Sequence, residues 1–276
     1  MAHPLPFSFV AVVVLYQVAP DLAPTLRSLA ACGGLDTCRR VVIVDHGPQP
    51  QPEAFARIAA TLAPTPALYA HDPRNPPLGQ TYNAAIRAHL GDADYVLILD
   101  HDTRLPPGLP DLAARAARDN EFPALMAPHM MAGGRIASPC RLFLGWGRRW
   151  ETPRRGWQSL RANTVINSGA WIHRRVFASL DLWYSETLSL YGTDTDFFRR
   201  LGRREERFLA LPVEIDHDFS FDSASVDGKA AKVDAMLAAN RVVYAADGAW
   251  VRAGVRCVNA FVRLKYALRF RSLRFL

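Results

Sequence analysis

A chain of 276 residues, half of them hydrophobic and 21% charged, is long enough to bury a sizeable core and too apolar to stay disordered. A net charge of +7 and a pI near 9.5 favour an anionic partner: a nucleotide, a phospholipid surface or a nucleic acid. No apolar run is long enough to span a membrane, and four cysteines without a C-x-x-C pair exclude a compact zinc site and read as free thiols of a cytosolic protein.

Residues 9–16 (FVAVVVLY) form an unbroken apolar run of strand length, as expected of a strand buried on both faces. Pro20 and Asp21 then open a helix with Leu22, Leu26 and Leu29 at helical spacing, ended by Gly33-Gly34. A second buried strand, 41–44, terminates in Asp45. It is followed by a helix over 52–62 and a shorter strand over 67–71. After the loop Asn75-Pro76-Pro77-Leu78-Gly79 comes a helix with Tyr82, Ala85, Ile86 and Leu90 on one face. The most apolar stretch, 95–99 (YVLIL), runs directly into Asp100-His101-Asp102. Strand and helix thus alternate four times in about a hundred residues, which predicts right-handed crossovers and a mostly parallel sheet.

In such a sheet, ligands bind beyond the carboxyl ends of the strands. Asp100 and Asp102 belong there, where buried charge is costly unless a cation neutralises it. Two oxygen ligands that leave room for water and phosphates suit Mg²⁺ or Mn²⁺. The alternative is that the pair caps the turn before Pro106-Pro107-Gly108.

Beyond Pro110 the rhythm loosens. An exposed helix is expected over 111–119, with strands over 124–130 and 136–144. Residues 145–157 pack three Trp and four Arg into thirteen positions. That composition is poor core and favours phosphate contact, sugar stacking or a lipid interface, or else a solvated loop pinned by Trp. A strand over 164–173 is interrupted at Asn167-Ser168-Gly169. A loop at 191–192 then enters a helix that carries Asp194 and Asp196 near its start, where the dipole favours carboxylates. A final strand over 207–215 ends in Asp216-His217-Asp218, and a helix over 227–244 follows. Residues 249–275 read as a long basic amphipathic helix, with seven Arg or Lys and no acid from 252 onward. Val251, Val255, Val258, Val262, Leu264 and Leu268 are expected along one of its sides, which could dock on the fold or on an anionic membrane.

Taken together, VAVVVLY (10–16), VVIVDHG (41–47), NPPLGQTYNAAI (75–86), YVLILDHD (95–102), NSGAWI (167–172), YGTDTDFFRRL (191–201) and HDF (217–219) resemble, in order, the bacterial family 2 glycosyltransferases, and most closely their rhamnosyltransferase-like branch. The resemblance implies an α/β GT-A fold, Rossmann-like with a mostly parallel sheet, over residues 1–225, and a helical extension over 226–276. It also implies a UDP- or dTDP-linked sugar donor, a divalent metal, inversion, and a glycan or lipid-linked acceptor, with no nucleic acid. It suits a cytoplasmic protein, peripheral on the inner face of the membrane.

Residue by residue, the resemblance places Asp45 on the nucleotide base. It puts Tyr16, Gly79, Asn83, Asp100, Asn167, Ser168 and Gly169 around the nucleotide-sugar. Asp100 and Asp102 would hold the metal with His217 assisting, and Asp194 would be the general base. Thr193 stands where the family usually has Glu, so Asp194 and Asp196 both remain candidates for that base.

Other classes fit less of the chain. A haloacid-dehalogenase-type phosphatase wants Thr or Val where Arg104 stands, and a sugar-phosphate nucleotidyltransferase wants a Gly- and Arg-rich loop after its first strand. A non-catalytic basic protein that binds membrane or nucleotide would leave the four aspartates unexplained.

Overall fold

The computed structural model describes residues 7–178, 182–217 and 225–275, so Asp218 and Phe219 of the HDF stretch lie outside the described residues. Its first hundred residues run β1 (Phe9–Leu15), α1 (Pro24–Ala31), β2 (Cys38–Asp45), α2 (Pro52–Leu62), β3 (Ala67–His71), α3 (Leu78–His89) and β4 (Tyr95–Asp100). There follow β5 (Thr103–Arg104), α4 (Leu109–Asp119), β6 (Leu125–Ala132), β7 (Arg135–Ser138), β8 (Cys140–Phe143), β9 (Trp146–Arg149), β10 (Gly156–Ser159), β11 (Asn163–Thr164) and β12 (Ala170–His173). The chain closes with α5 (Thr193–Leu201), β13 (Arg207–His217), α6 (Val226–Val243) and α7 (Ala249–Phe270).

The central sheet has the order β10–β13–β6–β12–β4–β1–β2–β3. Strands β4, β1, β2 and β3 are all parallel; β12 runs antiparallel between β4 and β6. Side chains alternate across each strand. Val10, Val12 and Val14 of β1 therefore meet α3 and α5 on one face. Phe9, Ala11, Val13 and Leu15 meet α1, α2 and α4 on the other. This double-sided burial is why β1 and β4 are apolar throughout. Register then sets the site: Val14 lies beside Asp100 and Leu15 beside Asp45, so three strand ends open onto one edge.

Several local expectations need correcting. A short 3-10 turn, Pro20–Leu22, precedes α1, and Leu22 is exposed. Helix α4 is not simply exposed, because Ala113, Ala114 and Ala117 press a small-residue face onto the sheet. The strand expected over 136–144 divides at Pro139, whose ring nitrogen has no hydrogen to give a ladder, into β7 on the main sheet and β8 in a separate β11–β8–β9 sheet. The stretch 164–173, by contrast, is interrupted at 167–169 as expected, with β11 before the break and β12 after it. Trp150, expected in a solvated or binding loop, is core: its indole N–H donates to Asn163 Oδ1 at 2.9 Å, and its ring stacks on Phe208. In α7 the expected side splits. Val251, Val255 and Val262 pack inward, while Leu264 and Leu268 face solvent.

His173 ends β12 with its ring edge-on to Tyr95, and its Nδ1 accepts the Arg175 N–H at 3.1 Å. Burial, reinforced by the Arg175 charge, pushes its pKa down from 6.5 to about 4. A folded pKa below the unfolded one means that unfolding takes up a proton as pH falls. The stability from neutral His173 is therefore complete above 6.5 and lost progressively toward 4. Denaturant titrations should show His173→Gln losing less stability than wild type across that window, by about 1 kcal/mol after solvent screening. Parallel curves would refute it.

Candidate active site

Beyond the carboxyl ends of β1, β2 and β4 lies a cleft of about 500 Å³. Tyr16, His46 and Asp100-His101-Asp102 enter it from those strand ends. Asn167 comes from the turn before β12, Tyr191 and Asp194 from the start of α5, and His217 from the end of β13. Among the described residues, no Lys or Arg lines it.

Asp100, Asp102 and His217 each offer a ligand atom within 4.8 Å of the others. His217 Nδ1 lies 3.4 Å from Asp102 Oδ1 and 3.0 Å from Thr103 Oγ1. Asp102 Oδ1 is buried with no hydrogen-bond partner. Burial first, and then the Asp102 charge, pushes the Asp100 pKa up to about 7; Asp194 adds to the rise. A cation would satisfy the orphaned oxygen and relieve the repulsion, so the donor set fits a divalent ion. The floor beneath is pinned by hydroxyls. Ser168 Oγ accepts the Asp100 N–H at 2.9 Å and stands 2.7 Å from Thr103 Oγ1. Thr25 Oγ1 also bonds the Asp100 carbonyl.

Helix α5 aims the next carboxylate. Gly192 precedes it with φ +80°, and a β-carbon there would sit 2.9 Å from Ala239 of α6. Positive φ and the close approach both require glycine. Asp194 Oδ1 accepts the Thr195 N–H at 2.7 Å, and burial raises the Asp194 pKa. Asp196 turns elsewhere: its Oδ2 takes two Arg200 hydrogen bonds, at 2.9 and 2.7 Å, and it does not line the cleft.

Five other expected donor contacts are set back from the cleft. Asp45 is wholly buried and holds the Tyr69 hydroxyl and the Gly47 N–H at 2.6 and 2.7 Å. Gly79 lies inside α3, where a β-carbon would come within 2.1 Å of Ser185 O, so its smallness serves packing. Asn83 is buried and bonds Tyr184 through both backbone groups, and Glu186 as well. Ser168 works from beneath the cleft, and Gly169, at φ +83°, packs against Pro128.

Residues 10–180 match glycosyl transferase family 2. The chain belongs to this family. Among solved structures, S. aureus TarS 1–349 in complex with UDP-GlcNAc aligns at TM-score 0.57 and 16% identity, covering 96% of this family 2 glycosyltransferase and 73% of that chain. GalNAc-T7 with UDP, GalNAc and Mn²⁺ aligns at TM-score 0.59 and 12% identity, over 78% and 44%. The Pyrobaculum calidifontis mannosyltransferase PcManGT with GDP-Man and Mn²⁺ aligns at 0.56 and 16%, over 97% and 84%. The longer S. aureus TarS structure is matched over only 40% of its length. At these identities the likeness establishes the GT-A fold. No curated protein matches by sequence.

Three cleft residues of the glycosyltransferase escape a reading of the sequence alone. His46 is buried, with Nδ1 3.0 Å from Asp72 O and Nε2 2.9 Å from Thr81 Oγ1; its place after the strand-ending Asp45 was the available signal. Tyr82 lies under Asp100, its hydroxyl 3.5 Å from Oδ1, but at helical spacing it looks like any core aromatic. Tyr191 lines the cleft while packing in the cluster that holds Ala239 and Val243 of α6, a contact with distant residues.

Proposed function

We propose that this glycosyltransferase moves a sugar from a nucleoside-diphosphate donor to an acceptor hydroxyl and inverts the anomeric centre. One observation carries it: a half-buried carboxylate, Asp194, held by a single neighbouring residue, Thr195, shares a cleft with the Asp100–Asp102–His217 group. Asp194 takes the acceptor proton as its oxygen attacks the anomeric carbon; the sugar–phosphate C–O bond breaks and the electron pair leaves on the diphosphate. No covalent nucleophile is needed, so configuration inverts. Asp100, Asp102 and His217 would hold Mg²⁺ or Mn²⁺, which when bound supplies the charge neutralisation that none of the described cleft residues offers as a Lys or Arg. The nucleotides and Mn²⁺ in the TarS, GalNAc-T7 and PcManGT structures support such a donor and ion.

Tyr16 and Asn167 border the donor directly. Asp45, Gly79, Asn83, Ser168 and Gly169 fix the loops around it. Residues 1–225 form the catalytic unit, with UDP or dTDP as the nucleotide and a rhamnose-type hexose as the sugar. Residues 226–276 form a helical extension. The acceptor is a glycan or lipid-linked sugar on the cytoplasmic side. A thermal-shift and donor-hydrolysis screen over UDP-, dTDP- and GDP-sugars, each with Mn²⁺ and with EDTA, tests this. One nucleotide class should stabilise the protein and be hydrolysed only with metal. No response to any donor would overturn it.

A further inference from the structure

Helix α7 carries two apolar faces. One is covered: Val255 and Ala267 are buried, and Val251, Val262 and Tyr266 pack with residues of α6 and with Phe275. The other looks into solvent. Trp250, Phe261, Leu264 and Leu268 are 92%, 60%, 50% and 71% exposed, with Ala253 and Cys257 exposed between them. At about 100° per residue these six positions fall on one stripe. Arg256 borders it on one side, and Lys265 and Arg269 border it on the other.

The β8–β9 hairpin extends the same face. Phe143 at its tip is 69% exposed and pairs with Trp146. The Trp146 ring stands 5.7 Å from Phe261, and the Lys265 ammonium lies 4.6 Å over that indole. Exposed Arg141, Arg148 and Arg149 ring this end, where Glu151, 3.8 Å from Arg148, is the nearby acid. Next to Phe143, Leu144 packs in a cluster with Leu188 and Tyr191, and Tyr191 lines the cleft.

We infer that this face lies in the surface of an anionic phospholipid membrane and presents the cleft to a lipid-linked acceptor. Two features select lipid over another occupant. An exposed apolar stripe with Trp at its end and cations on both flanks matches a bilayer interface, where rings sit among headgroups and cations meet phosphates. A second copy docked face to face would bring the same positive flanks together. No described helix is long and apolar enough to cross a membrane, so α7 lies on the surface. The acceptor clause rests on the glycosyl-transfer proposal; the membrane face does not.

Co-sedimentation of the full chain with vesicles of phosphatidylcholine, with and without phosphatidylglycerol, tests it. The wild type should bind the anionic vesicles selectively, and less so at high salt. Replacing Phe261, Leu264 and Leu268 together by Ser should weaken binding by roughly tenfold or more, with soluble donor hydrolysis unchanged and the melting temperature lowered by no more than a few degrees. Equal partition of variant and wild type, or equal binding to both vesicle types, would overturn the inference. So would a concentration-dependent dimer that the triple variant abolishes without any vesicle binding. Intact vesicle binding without donor hydrolysis would sink the catalytic proposal and leave the membrane face standing.

Discussion

Asp194→Asn should lower turnover by roughly 10²–10⁴ while donor affinity stays near wild type, because the amide keeps shape and hydrogen bonding but cannot take a proton. The neighbouring carboxylate provides the control. Asp196 is committed to Arg200 through two hydrogen bonds to one oxygen, and Arg200 also donates to Trp183 O at 2.6 Å. Asp196→Asn should therefore cost about 1 kcal/mol of stability and leave turnover within a few-fold of wild type. Thr193, at the position where the family usually has Glu, is buried with its hydroxyl on Leu190 O, so no third carboxylate competes. Steady-state kinetics beside calorimetric donor affinity separates the two variants. A stable, inactive Asp196→Asn beside an active Asp194→Asn would move the base two residues along the chain.

Asp102→Ala should weaken metal-dependent donor binding by roughly 100-fold or more, and EDTA should bring wild type down to the same level. The metal-free fold should not suffer. Asp102 Oδ1 is a buried oxygen without a hydrogen-bond partner, and the Asp102 charge is, after burial, the main cause of the raised Asp100 pKa. Removing it relieves the repulsion, so the variant without metal should melt no lower than wild type. Calorimetric binding that is unchanged by the substitution and by EDTA would refute the site.

Much of the fold was legible because its core strands are buried on both sides, which forces continuous apolar runs such as 10–15 and 95–99. The strand-ending carboxylates were legible for the same reason: a charge that terminates such a run must emerge at the sheet's edge. Burial that depends on distant partners was not. Trp150 reads as interfacial in its Arg-rich neighbourhood and becomes core only through Asn163 and Phe208. Gly79 and Asn83 sit in a matching motif, yet their partners, Ser185 and Tyr184, lie a hundred positions away. Helical periodicity shows that α7 has apolar stripes without saying which one the fold covers. The i,i+4 spacing of Asp196 and Arg200, by contrast, was in plain view.

The hydroxyl mesh under the cleft has a consequence for synthesis. Asp100 is tied to Ser168, Ser168 to Thr103, and Thr103 to His217, so the pocket's floor is closed by a segment more than a hundred positions downstream of the strand it supports. Contacts of such separation form late, after the loop between them has been closed at an entropic cost. The sheet β1–β4 can assemble from the first hundred residues as they leave the ribosome, but the hydroxyl chain under the carboxylates is complete only when β13 pairs with β5. A nascent or truncated chain that ends before His217 thus has most of the core and the other cleft residues, but lacks the histidine that completes the Asp100–Asp102–His217 group.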